Sequence, residues 1–86
     1  MKELERLFKG LGNRRRLAIL QHIKKNQEAN VGSIAKSIGL SFKATSRHLA
    51  ILTAIDVLEK EQRSTLVYYK ISNSVGRFVK HIISTL

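Results

Sequence analysis

The chain has 86 residues, enough for one domain with a single modest core. Lys and Arg outnumber Asp and Glu sixteen to six, a formal charge of +10, and there is no cysteine, which excludes disulfide staples, thiolate metal sites and thiol redox chemistry. No apolar run has the length of a membrane span and the first residues lack a signal peptide's apolar stretch, so the expected location is the cytoplasm.

Leu4, Leu7, Phe8 and Leu11 repeat at helical spacing, and Gly10 and Gly12 close that first short helix. Asn13 can cap a second helix, whose inward face is Leu17, Leu20 and Ile23 with Ile19 alongside. Asn30 opens a third, carried by Val31, Ile34, Ala35 and Ile38 and stopped by Gly39, which suits the left-handed residue that ends many helices. Ser41 can cap a fourth at once, with Thr45, Leu49, Leu52 and Ile55 facing inward. Two strands follow, Val57 to Glu61 and Leu66 to Ile71, joined by a polar turn near Arg63-Ser64. Asn73 or Ser74 can cap a last helix bearing Val75, Phe78, Val79, Ile82, Ile83 and Leu86 on one side. The predicted fold is mainly α with a β-hairpin wing, a single winged helix-turn-helix domain of order α-α-α-α-β-β-α over residues 1–86.

Charge is distributed unevenly along this order. Between Lys9 and Arg47 there are nine cations and one acid, Glu28, a field that attracts polyanions. Nucleic acid, an anionic membrane surface and an acidic protein all answer such a field. The spacing of the third and fourth segments narrows the choice. Ala35 is small where two helices must approach, Gly39 follows at the sharp turn, and Ser41 caps the next helix immediately. That is helix-turn-helix spacing, and the second helix of such a pair, residues 41–54, enters the major groove. Ser41, Lys43, Ala44, Thr45, Ser46, Arg47 and His48 are its candidate contacts, with Thr45 counted on the buried face as well. Lys and Arg read guanine edges or hold phosphates, and Ala suits a thymine methyl. A hairpin directly after this helix reads as a wing over residues 57–71, with Arg63, Ser64 and Thr65 placed to reach the adjacent minor groove or backbone.

With these residues in view, the chain resembles the arsenic-repressor-like (ArsR) family of winged-helix regulators. Asn13-Arg14-Arg15-Arg16-Leu17-Ala18-Ile19-Leu20 resembles the family's Asp-Pro-Thr-Arg-Leu-x-Ile-Leu opening of the second helix. Ile34-Ala35-Lys36-Ser37-Ile38-Gly39-Leu40-Ser41, with Ser46-Arg47-His48-Leu49-x-x-Leu52 after it, resembles the helix-turn-helix, and Val67-Tyr68-Tyr69-Lys70-Ile71 the second wing strand. The likeness runs from Leu11 to Ile71; MarR-like families share pieces of it. It implies a cytoplasmic transcription regulator, expected to be a repressor, that works as a homodimer on double-stranded DNA. Its first and last helices would pair through Leu4, Leu7, Phe8, Phe78, Val79, Ile82 and Ile83. Independently, an uncovered stripe of this kind on so small a domain is a sticky patch that a second copy would cover.

Three residues depart from the family pattern: Thr45 replaces an apolar residue, and Asp56 and Ser64 stand where glycine is usual. The Cys pair of metal-responsive members is also absent, its place taken by Val31, Gly32 and Ser33, and the last helix has only His81 of another familiar metal site. No metal or other cofactor is expected. No phosphate-binding glycine loop, nucleophile–base pair or carboxylate dyad points to an enzyme. Two other readings remain at this point: a nonspecific, architectural nucleic-acid binder driven by charge, and a winged-helix protein-interaction module.

Overall fold

The short-range signals at helix ends account for most of the architecture. In a computed structural model describing residues 1–86, the elements are α1 (Lys2–Leu11), α2 (Arg14–Asn26), β1 (Ala29–Asn30), α3 (Val31–Ile38), α4 (Phe42–Ala54), β2 (Leu58–Arg63), β3 (Leu66–Ile71) and α5 (Arg77–Ser84). Asn13, Asn30 and Ser41 each accept a hydrogen bond from the backbone N–H three residues on, at 3.1, 2.9 and 3.1 Å, satisfying a donor orphaned at the start of α2, α3 and α4. Gly39 takes φ 70° and ψ 35°, and the Leu40 N–H closes on the Ala35 carbonyl.

The other end of α4 solves the same problem without glycine. Asp56 adopts φ 61°, its N–H bonds the Thr53 carbonyl, and the Val57 N–H bonds that of Leu52. This is a Schellman closure, and its apolar pair is Leu52 with Val57, both buried. Asp tolerates the left-handed region better than most side chains, so the departure from glycine keeps the turn.

The core gathers Ile19, Leu20 and Ile23 of α2, Ile34 of α3 and Leu49 and Leu52 of α4, none with measurable exposure. Ala35 is buried where α3 meets its neighbours. Gly10 lets α1 lie close to α4: a Cβ there would sit 2.5 Å from Ile55 Cδ1. No helix is long and apolar enough to cross a membrane.

Three expectations need correction. The sheet has three antiparallel strands in the order β1-β3-β2, because Ala29 and Asn30 pair with Tyr69 and Tyr68. Two residues carry no periodicity, so β1 is silent in the sequence. The first wing strand lies at Leu58–Arg63, pairing with β3 right up to the turn, from Leu58 opposite Ile71 to Arg63 opposite Leu66. That leaves a two-residue loop, Ser64-Thr65, with Ser64 at φ 59° in the place where such turns prefer glycine. Finally, α5 begins after Gly76 with no side-chain cap. Ser72 and Ser74 bond each other instead, and the Ser74 N–H bonds Ser72 Oγ, a local turn that competes with helix initiation.

Candidate nucleic-acid interface

Helix α4 divides cleanly by period. Thr45, Leu49 and Leu52 turn inward, whereas Lys43, Arg47, Ala50 and Ala54 form an exposed stripe on the far side. Ala44, Ser46 and His48 flank it, half-buried, and Ser41 is exposed at the cap. Neither Lys43 nor Arg47 has a hydrogen bond or ion pair within the protein, so both guanidinium and ammonium are available to a ligand.

Thr45 does not belong among the DNA contacts. It is fully buried, and its Oγ1 donates to the Ser41 carbonyl at 2.8 Å, which satisfies the hydroxyl inside the core. Sequence reasoning also passed over Phe42, 62% exposed in the first turn of α4 beside the cationic stripe. Being apolar and out of step with the buried residues, it was legible only as an exception to the pattern.

His48 is positioned by Arg16, a residue that the sequence presents merely as one more cation. Arg16 Nε donates to the Gly10 carbonyl at 2.6 Å and Nη2 to that of Lys9 at 3.3 Å, closing the last turn of α1. Its Nη1 lies 3.2 Å from His48 Nδ1. Since arginine only donates, Nδ1 accepts and the neutral ring carries its proton on Nε2. One planar fork thus ties α1, α2 and α4 together.

Burial lowers the His48 pKa from its usual 6.5, and the charges of Arg16 and Arg15 push the same way. The unfolded imidazole protonates near 6.5 and the folded one only at lower pH, so acidification through that window favours the unfolded chain. Thermal unfolding followed from pH 7.5 downward should show stability falling below about pH 6.5. In His48→Gln, which can still accept from Arg16, the profile should flatten; an equally steep profile would remove His48 from the account.

The wing is arranged differently from expectation. Arg63 is folded back rather than extended: both its terminal nitrogens bond Glu28, with Nη2 to Oε1 at 2.9 Å, and Nη2 also reaches Glu61 at 3.0 Å. The guanidinium lies over the Tyr68 ring, 4.7 Å from its centroid. Arg63's hydrogen bond holds the Glu28 carboxyl below the usual carboxylate range. Lys70 is paired with Glu59 at 3.3 Å. Ser64 and Thr65 remain exposed at the tip.

The residues expected at a dimer contact also split. Leu4, Phe8 and Phe78 are 46, 48 and 56% exposed, and the two Phe rings meet edge to face with centroids 6.0 Å apart. Leu7 and Ile82 are half-buried. Val79 and Ile83, each 5% exposed, pack into this chain's own core and are corrected out of any free surface. No cluster of three or more His, Cys, Asp or Glu could hold a metal ion.

The family model for bacterial regulatory proteins of the arsR family matches residues 13–60, from the Asn13 cap through the helix-turn-helix into β2. The chain belongs to that family. It is also 30% identical over 80 residues to the HTH-type transcriptional regulator YgaV of Escherichia coli (strain K12), covering 93% of this chain and 78% of that protein. Reduced HlyU from Vibrio cholerae superposes with a TM-score of 0.83 at 30% identity, over 99% of this chain and 85% of HlyU. The homodimeric winged helix-turn-helix DNA-binding domain of Mb0332 from Mycobacterium bovis (fragment 1–100) gives 0.83 at 28% identity, over 98% of this chain and 74% of that one. This ArsR-family chain is accordingly a winged helix-turn-helix, DNA-binding transcription regulator and not an enzyme.

Proposed function

We propose that two copies of the chain pair through α1 and α5 and present their α4 helices to successive major grooves of one palindromic operator. The observation that carries this reading is the division of α4: one side is docked in the core while Lys43 and Arg47 on the other have no protein partner. Arg47 is suited to a guanine edge, Lys43 to a guanine or a phosphate, and Ala44 and Ala50 to thymine methyls. Pairing of copies is supported by the exposed cluster of Leu4, Phe8 and Phe78 and by the homodimeric state of the Mb0332 domain. Repression follows sterically where such a dimer covers a promoter, in the cytoplasm with its DNA.

Selection of bound duplexes from a random pool, followed by competition against unrelated DNA, tests the reading. It should yield two inverted half-sites about one helical turn apart. Arg47→Ala should then weaken operator binding by ~1–3 kcal/mol and relax preference at one base position. A pool that stays random after selection would overturn specific recognition.

A further inference from the structure

We propose that the groove between α2 and α3 is a second seat for the DNA backbone, in which Arg14 and Arg15 hold phosphates flanking the major groove that α4 occupies. The inference rests on the operator-binding reading above and extends it to a surface outside the helix-turn-helix and wing.

The groove has a volume of about 820 Å³ and runs along the outer side of α2. Arg14, Arg15, Lys24 and Lys25 line it, Ser37 of α3 closes one side, Leu86 lies at one end, and no Asp or Glu lines it. All four ion pairs of the molecule lie elsewhere. Lys24 is committed to the Ser84 and Leu86 carbonyls at 2.9 and 3.0 Å, which leaves Arg14, Arg15 and Lys25 without partners. Three exposed cations with no partner within the protein raise a positive field along the groove that an anion would answer.

Position relative to α4 says which anion. The next residue along α2, Arg16, touches His48, and His48 adjoins Arg47 of the exposed stripe. The cationic surface of α4 therefore continues onto the first turn of α2. From Arg15 to Lys25 the helix rises roughly 15 Å, enough to follow several phosphates of one strand at ~3.4 Å of axis each. A compact effector fits less well, because ligand pockets are mostly apolar with a few convergent polar groups, and this groove is an open cationic trough.

The wing sharpens the inference. Residues 57–71 carry three cations and two acids, and Glu28, clamped on Arg63, makes the balance even. A neutral wing draws few phosphates, so backbone attraction outside α4 falls to the α2 groove.

The test compares wild type with the Arg14→Gln/Arg15→Gln double variant, on the selected operator and on an unrelated duplex, across a series of salt concentrations. Affinity should fall by a similar factor on both duplexes, the operator preference should persist, and the slope of log K against log salt should drop by about two, ~0.9 per phosphate lost. Replacing operator phosphates beside each half-site by neutral methylphosphonates should weaken wild type and leave the double variant nearly unaffected. An unchanged slope would overturn the proposal. So would a result in which inorganic phosphate raises the melting temperature of wild type alone while DNA binding of the two proteins stays equal, since the groove would then be a free-anion site. Wild type that shows no operator preference would instead overturn the reading beneath it, whatever the double variant does.

Discussion

Phe78→Glu is expected to leave the chain folded but monomeric, and to lower affinity for a two-half-site operator by a hundredfold or more. Phe78 is over half exposed and rests edge-on against Phe8, which is itself nearly half exposed, with Leu4 beside them in sequence period. Covering these side chains against a second copy removes apolar surface from water, and a carboxylate at the centre of that patch would be buried without a partner. The fold should survive, because Val79 and Ile83, not Phe78, anchor α5 in the core. Losing the partner removes one of two recognition helices, and the advantage of binding the second half-site intramolecularly goes with it. Sedimentation and a mobility-shift titration read the two effects. A variant that still sediments as a dimer would place the contact between copies elsewhere.

Arg16→Ala should destabilise the chain by about 3 kcal/mol, a drop of roughly 12–24 °C in melting temperature for a domain of this size. The substitution strips partners from the Lys9 and Gly10 carbonyls and from His48 Nδ1 in one step. Each is at a helix end or half inside the protein, so water recovers the bonds only in part. Arg16→Lys should rescue little, because one ammonium cannot span three acceptors on two helices as a planar fork does. Chemical denaturation at fixed protein concentration measures the effect; a loss under about 1 kcal/mol would mean that the clamp contributes little.

The sequence makes legible whatever is decided by neighbours. Asn13, Asn30, Ser41 and Gly39 act within three to five residues, and the structure places each in the role that its chemistry suggests. All five helices and both wing strands follow from period and punctuation, with only the start of α5 and the span of the first wing strand displaced. What stays hidden depends on partners far along the chain. Arg16 reaches His48 across 32 residues and Arg63 reaches Glu28 across 35, so each is a mere cation until the fold brings its acceptor near. Arg63 shows the cost of reading charge without its counter-charge: a wing with a cation at its tip is neutralised by Glu28 from the connection between α2 and β1.

Polar residues on amphipathic helices mislead for a related reason. Thr45 has the hydroxyl of a DNA contact and the position of a core residue, and the i−4 carbonyl that satisfies it belongs to Ser41. On α5 the apolar stripe is wide enough for two faces. Periodicity cannot divide it, and only packing shows that Val79 and Ile83 face inward while Phe78 faces out.

The central claim is that the exposed side of α4 reads a major groove. Methylation interference on the selected operator tests it most directly, because methylated guanine N7 projects into the major groove and methylated adenine N3 into the minor. The account predicts that guanine methylation within two half-sites about one turn apart abolishes binding, and that Arg47→Ala becomes insensitive to one of those guanines. Interference confined to adenine N3 would contradict it, placing the protein's base contacts in the other groove.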